Sequence, residues 1–177
     1  RAPDGEDVIL PFGTDVVVSD ATITATFDAD EGEDVTAEIT LDGFSQPAVA
    51  IAEATLGLRG VIVTDGLPAV DLNVTSALEG VNFTDESLQE AVGSDLAADA
   101  RIRWTSGEDV TLDNLELRGT EYSAQVDATL TPGGGTTILT ADGKASLQDL
   151  TRFATLSGTD MEGQADLAFD LSTDLLG

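Results

Sequence analysis

Apolar and polar residues alternate one by one along much of this chain. Ala21, Ile23, Ala25 and Phe27 alternate with Thr22, Thr24 and Thr26, and Val35, Ala37, Ile39 and Leu41 with Thr36, Glu38 and Thr40. The pattern returns at Val70, Leu72 and Val74, at Ala124, Val126, Ala128 and Leu130, and at Ala165, Leu167, Phe169 and Leu171. Successive side chains of a strand point to opposite faces, so this spacing gathers the apolar set on one face and the Asp and Thr set on the other. One dry and one wet face is the signature of an antiparallel sheet, not of a parallel sheet covered on both sides.

Turn chemistry separates the runs. The acidic stretch 28–34 links the first two strands, and Ser106, Gly107, Glu108 and Asp109 link 100–104 to 110–117. Pro132 with Gly133, Gly134 and Gly135 marks another turn, and Ala141, Asp142 and Gly143 read as a further one. Strands about ten residues apart with tight turns predict an all-β meander. Two short helices interrupt it. Thr84 is placed to N-cap a helix over 85–92, with Asp85 and Glu86 at its positive end and Gly93 at its exit. Ser146 is placed to cap a helix over 147–156, with Leu147, Leu150, Phe153 and Ala154 as its apolar stripe and Gly158 as its stop. Both are too short to cover a large sheet and read as plugs at its edge.

Composition narrows the chemistry. The chain has 177 residues, 34 acidic against 7 basic, a formal net charge of -27, and neither Cys nor His. Thiolate and imidazole metal sites, disulfides and Ser-His or Cys-His catalysis are excluded. So acidic a surface repels nucleic acid. Its self-repulsion is relieved by salt, which suits a saline medium. No stretch approaches the roughly 20 apolar residues of a membrane span. Neither end carries a targeting segment, and both read as cut, so 1–177 is expected to be one internal segment of a longer domain.

Candidate chemistry is thin. Asp28, Asp30, Glu31, Glu33 and Asp34 offer oxygen ligands around Gly32, but the flanks are strands and position twelve is Ile39, against the EF-hand pattern. No carboxylate pair stands out for glycoside hydrolysis. Asn73-Val74-Thr75 and Asn82-Phe83-Thr84 match the short glycosylation sequon. Arg101 and Arg103 share one face, expected to be the wet one, and read as cross-strand partners of acids. The glycine run at 133–135 lacks the Lys-Ser/Thr of a phosphate loop. No catalytic site or cofactor is expected, and the chain reads as non-enzymatic. What remains is the apolar face, either covered by a second sheet or left open as a trough.

A resemblance weighs for the trough. Ala2-Pro3-Asp4-Gly5, Val8-Ile9-Leu10-Pro11 and Gly13, then the first two strands with Asp28-Ala29 and Gly32, then Gly43-Phe44 and Pro47, follow the order of segments in the TamB family, in its alphaproteobacterial form. Arg101-Ile102-Arg103-Trp104, Gly107, Leu115-Glu116-Leu117 and Tyr122 continue it. Gly143-Lys144-Ala145-Ser146-Leu147, Leu150, Arg152-Phe153, Leu156-Ser157-Gly158 and Gly163 resemble the family's short helix and re-entry into strand. Gly13 stands alone where a Gly pair is common, and Val35 takes a place where Trp is expected.

The resemblance implies an extended, curled antiparallel sheet forming a hydrophobic groove, inside an inner-membrane-anchored protein that crosses the periplasm. Members are linked to phospholipid transfer to the outer membrane and to autotransporter assembly. The implied partners are phospholipid acyl chains, flanking segments of the same chain and a TamA-like outer-membrane barrel. Under this reading the groove is lined by Ile23, Phe27, Val35, Ile39, Leu41, Leu72, Val74, Val126, Leu130, Leu167, Phe169 and Leu171. The competing expectation is an acidic secreted β-sandwich, a surface or adhesin module stiffened by calcium at 28–34.

Overall fold

The computed structural model describes residues 8–9, 16–28, 33–133 and 136–176. Asp30, Glu31, Gly32, Gly134, Gly135 and the opening residues up to Gly13, other than Val8 and Ile9, lie outside the described residues. The alternating runs form one antiparallel sheet of eleven strands. They are β1 (Val8–Ile9), β2 (Val17–Asp28), β3 (Asp34–Gln46), β4 (Val49–Val63), β5 (Ala69–Glu79), β6 (Asn82–Phe83), β7 (Leu96–Thr105), β8 (Val110–Gly119), β9 (Tyr122–Pro132), β10 (Thr136–Leu147) and β11 (Ala165–Leu176). Spatial order follows sequence order from β1 to β11, except that β6 sits beside the start of β4. The sheet is curled and open, and among the described residues no second sheet lies over it. The sandwich expectation therefore gives way to a single layer.

Two sequence expectations are corrected. The turn expected at Ala141, Asp142 and Gly143 is the middle of β10. Gly143 is tolerated there because the Phe169 ring of the next strand lies across it; a Cβ on Gly143 would come within 2.6 Å of that ring. The helix expected over 147–156 starts later. Leu147 still pairs with Tyr122 and Ala165 as strand. A 3-10 turn then runs Leu150–Phe153, N-capped by Asp149 rather than Ser146, and continues into α2 (Ala154–Ser157). Gly158 ends it in the left-handed conformation, as expected. The first helix, α1 (Glu86–Val92), forms as read but with its cap one residue on. Asp85 accepts from the Ser87 and Leu88 amides, while Thr84 donates to the Pro47 carbonyl.

Strand β8 carries one extra residue against both neighbours. Asn114, at φ 50°, absorbs it, and the Asp127 carboxylate accepts the Asn114 amide at 2.7 Å. The bulge turns a spacing of three, Leu112 to Leu115, back into two apolar side chains on one face.

On the other face, like charges stand opposite each other. Asp20, Asp42, Glu53 and Glu79 form one cross-strand row, and Asp127, Asp142 and Asp170 another. Directly opposed like charges destabilise a sheet, and salt screens them over roughly 8–10 Å at 0.1–0.15 M. The melting temperature should therefore climb as NaCl is raised from 10 mM to 1 M. Asp142→Asn should raise it at low salt and lose that advantage at high salt. A melting temperature indifferent to salt would count against this account.

A charge-free apolar face and its helical plug

Register decides which side chains share a face, because residues opposite one another in antiparallel strands point the same way. Ile23, Ile39, Leu56, Ser76, Ala98, Leu117, Ala124, Ala145 and Leu167 form one row across the sheet. Phe27, Val35, Gly60, Leu72, Ile102, Leu112, Ala128, Ala141 and Leu171 form a second. Between them, Val74 lies opposite Leu58 and Ala100, and Val126 opposite Leu115 and Gly143, which in turn faces Phe169. Leu41 pairs with Ala21 and Ala54 on one flank; Leu130 pairs with Val110 and Leu139 on the other, in line with Trp104 and Val70. All twelve residues singled out from the sequence thus share one face. No charged side chain interrupts its rows.

Reading the sequence missed Leu56, Leu58, Ile102, Leu112, Leu117 and Leu139, which belong to the same rows. Strand β4 hid its share because Gly57 and Gly60 and the small Ala54 blur the alternation. The phase slip from Leu112 to Leu115 was the available signal for the bulge.

The face is uncovered. Among the described residues only Val18, Val81 and Ala91 are buried hydrophobics, and none of these is in the rows above. Lining side chains on the outer strands are the barest: Ile23 is 68% exposed, Phe27 54%, Leu167 52% and Leu171 47%. Those on inner strands are half-buried by their lateral neighbours alone. Nine strands at ~4.8 Å spacing and eight residues at ~3.3 Å give an apolar area on the order of 1,000 Å². The largest patch on an ordinary monomer is about 300–600 Å² and is itself often functional.

One end of the strands carries the helical connections. The connections 80–95, 120–121 and 148–164 meet there, tied by Arg152. Its guanidinium donates to the carbonyls of Glu90 (3.0 Å) and Thr120 (2.8 Å) and lies 3.3 Å from the Glu121 carboxylate. Tyr122, on the apolar side of β9, donates to the Val92 carbonyl at 3.1 Å and meets Phe153 edge-on, ring centres 6.3 Å apart. Burial raises the Tyr122 pKa, consistent with a neutral hydroxyl donor. Ala91 and Val81 are the buried centre of this knot. The two helices, expected as plugs at the sheet edge, sit at one end of the strands.

The opposite face is polar and paired. Arg101 binds Asp71 through two bonds of 2.6 and 2.7 Å, Arg103 binds Asp113, and Arg118 joins Asp99 and Glu116. This is the cross-strand pairing expected of Arg101 and Arg103. The hydrogen bond from Arg101 holds Asp71 below the usual carboxylate range, and that from Arg103 does the same for Asp113. The Thr64 hydroxyl and amide lower Glu33, and Ser87 and Thr151 lower the helix-capping Asp85 and Asp149. A carboxyl depressed on folding contributes stability that is complete above its unfolded value, about 4, and is lost as pH falls through the folded value. The melting temperature should therefore hold down to about pH 4 and drop below it. In an Arg101→Gln, Arg103→Gln variant that drop should be shallower; an unchanged acid limb would exclude these pairs as its source.

Among the described residues no group of three carboxylates is placed to hold a metal ion, and Glu33 of the acidic loop is engaged by Thr64. Among the described residues no helix is long and apolar enough to cross a membrane. Comparison of the chain with protein-family models, with curated proteins and with solved structures returned no match.

Proposed function

We propose that this chain is a non-enzymatic segment of a TamB-like, periplasm-spanning protein, and that its apolar face carries phospholipid acyl chains toward the outer membrane. The observation that carries the reading is the uncovered, charge-free face described above. A protein that exposes so large an apolar surface needs an apolar occupant, and each methylene laid on it contributes about 0.8 kcal/mol. Because Val, Leu, Ile and Ala recur in row after row with no charged anchor, no position along the face holds a chain much better than the next. Lipids can then slide along it. The order of Gly, Pro and Leu segments along the sequence supports the family assignment. The outer-membrane barrel, the inner-membrane anchor and a role in autotransporter assembly come with that assignment.

The test is photocrosslinking in cells, with a photoreactive residue replacing Val126 or Phe169 and controls at Asp127 and Asp170 on the polar face. Phospholipid adducts from the apolar positions alone are the expected result. If those positions crosslink only to protein, the face is an interface or core and the lipid reading falls. The acidic, sequon-bearing polar face would then favour the surface-module alternative.

A further inference from the structure

The two ends of the apolar face differ, and resting on the lipid reading above, we infer that a bound phospholipid seats one way round. Its acyl chains point toward the Arg152 knot and its headgroup sits at the opposite rim, where a zwitterionic head is preferred over an anionic one. At the knot end the helical connections stand across the line of the strands at β9. Tyr122, packed on Phe153 and bonded to the Val92 carbonyl, blocks the way there. From the Tyr122 row to the Trp104 row the face runs eight residues, roughly 26 Å. One leaflet's acyl chain occupies about 15 Å, half of a ~30 Å hydrocarbon core. A chain starting at the knot therefore ends short of the far rim, leaving room for the glycerol backbone beneath Trp104. Trp is the side chain that favours the boundary between apolar and polar layers, and Trp104 is the only one in the chain.

The charge of that rim selects the head. Its turns carry Asp28, Glu33, Asp34, Asp65, Glu108 and Asp109 and, among the described residues, no Lys or Arg. Hydrogen bonds from Thr64 hold Glu33 in its ionised form. The cations nearest along the flanking strands, Arg59 opposite Thr36 and Arg103, are on the polar face, and Arg103 is held by Asp113. An amine on the head meets favourable charge there, whereas a net anionic head meets repulsion that salt screens.

Trp104 fluorescence reads both claims. The protein is loaded from vesicles of dibrominated phosphatidylcholine and separated from them by gel filtration. Bromines near the glycerol should quench Trp104 several-fold more than bromines near the methyl end; equal or reversed quenching overturns the orientation. Brominated phosphatidylglycerol should need about five- to tenfold more lipid for half-quenching at 20 mM salt, a gap that closes by 1 M; parity at low salt overturns the head preference. Glu108→Gln with Asp109→Asn should narrow the gap more than Asp142→Asn with Asp170→Asn, which removes as much charge from the polar face. Equal narrowing would assign the preference to net charge and overturn the role of the rim. Each of these failures leaves lipid on the protein, whereas no quenching by any lipid overturns the lipid reading itself.

Discussion

Replacing Val126 by Asp is expected to strip lipid from the protein while leaving the sheet folded. Val126 lies mid-face, opposite Leu115 and Gly143, with Phe169 one strand beyond Gly143. A carboxylate among acyl chains costs about 2.5–3.5 kcal/mol at the centre of a hydrocarbon layer, which is about a hundredfold or more in occupancy. The fold is affected far less, because the side chain is only half-buried and no second layer packs on it. Lipid adducts from a photoreactive group at position 169 should fall by about that factor, with an unchanged circular dichroism spectrum. Thr140→Asp, which places the same charge on the opposite face of β10, should leave adduct yield as it was. A Val126→Asp protein that keeps its lipid would mean that acyl chains do not rest on this face.

The second large effect belongs to Arg152. Its guanidinium, whose side chain is only 15% exposed, binds carbonyls from two separate connections and neighbours a third group, Glu121. Hydrogen bonds from a charged donor contribute about 1.5–3 kcal/mol each. Arg152→Ala should therefore raise amide exchange in 86–92 and 150–157 on the order of a hundredfold. Strands β2 to β4, which do not touch the knot's arginine, should keep their protection. Arg152→Lys should rescue little, since a single ammonium cannot reproduce a planar fork that reaches two carbonyls. Uniform loss of protection across the whole sheet would instead make the knot part of one global unit.

Much of this architecture could be read from residue order alone, because a one-layer sheet has few ways to disguise its pattern. Where side chains alternate strictly, as at 21–27 or 124–130, strand, face and neighbours all followed. The failures have physical causes. Gly143 imitates a turn residue, and only the ring of Phe169, 26 positions on, makes it a strand residue. The helix over 147–156 was read from an apolar stripe that three partners share. Leu147 is claimed by Tyr122 and Ala165 as strand, and Asp149 caps what is left. Thr84 and Asp85 are both competent caps. The Pro47 carbonyl draws the Thr84 hydroxyl away, a contact between segments 37 positions apart that no local pattern announces. The apolar face itself was legible, but its being uncovered was not. Outward polar alternation is identical in an open sheet and in half of a sandwich, so only the third dimension separates them.

The order of the strands has a consequence for biogenesis. From β2 onward, nearly every strand rests on the one made just before it, so apart from the Arg152 knot no early strand waits for a late one. A chain threaded through a membrane from its N-terminus could lay down this sheet hairpin by hairpin as it emerges, each new strand completing the edge left by the last. Length then becomes a heritable and nearly free variable. One duplicated hairpin extends the span by about 10 Å, and one deletion shortens it by as much, with no central core to repack. Under the proposed reading, such a sheet is a gauge that evolution can cut to the width of the gap it spans.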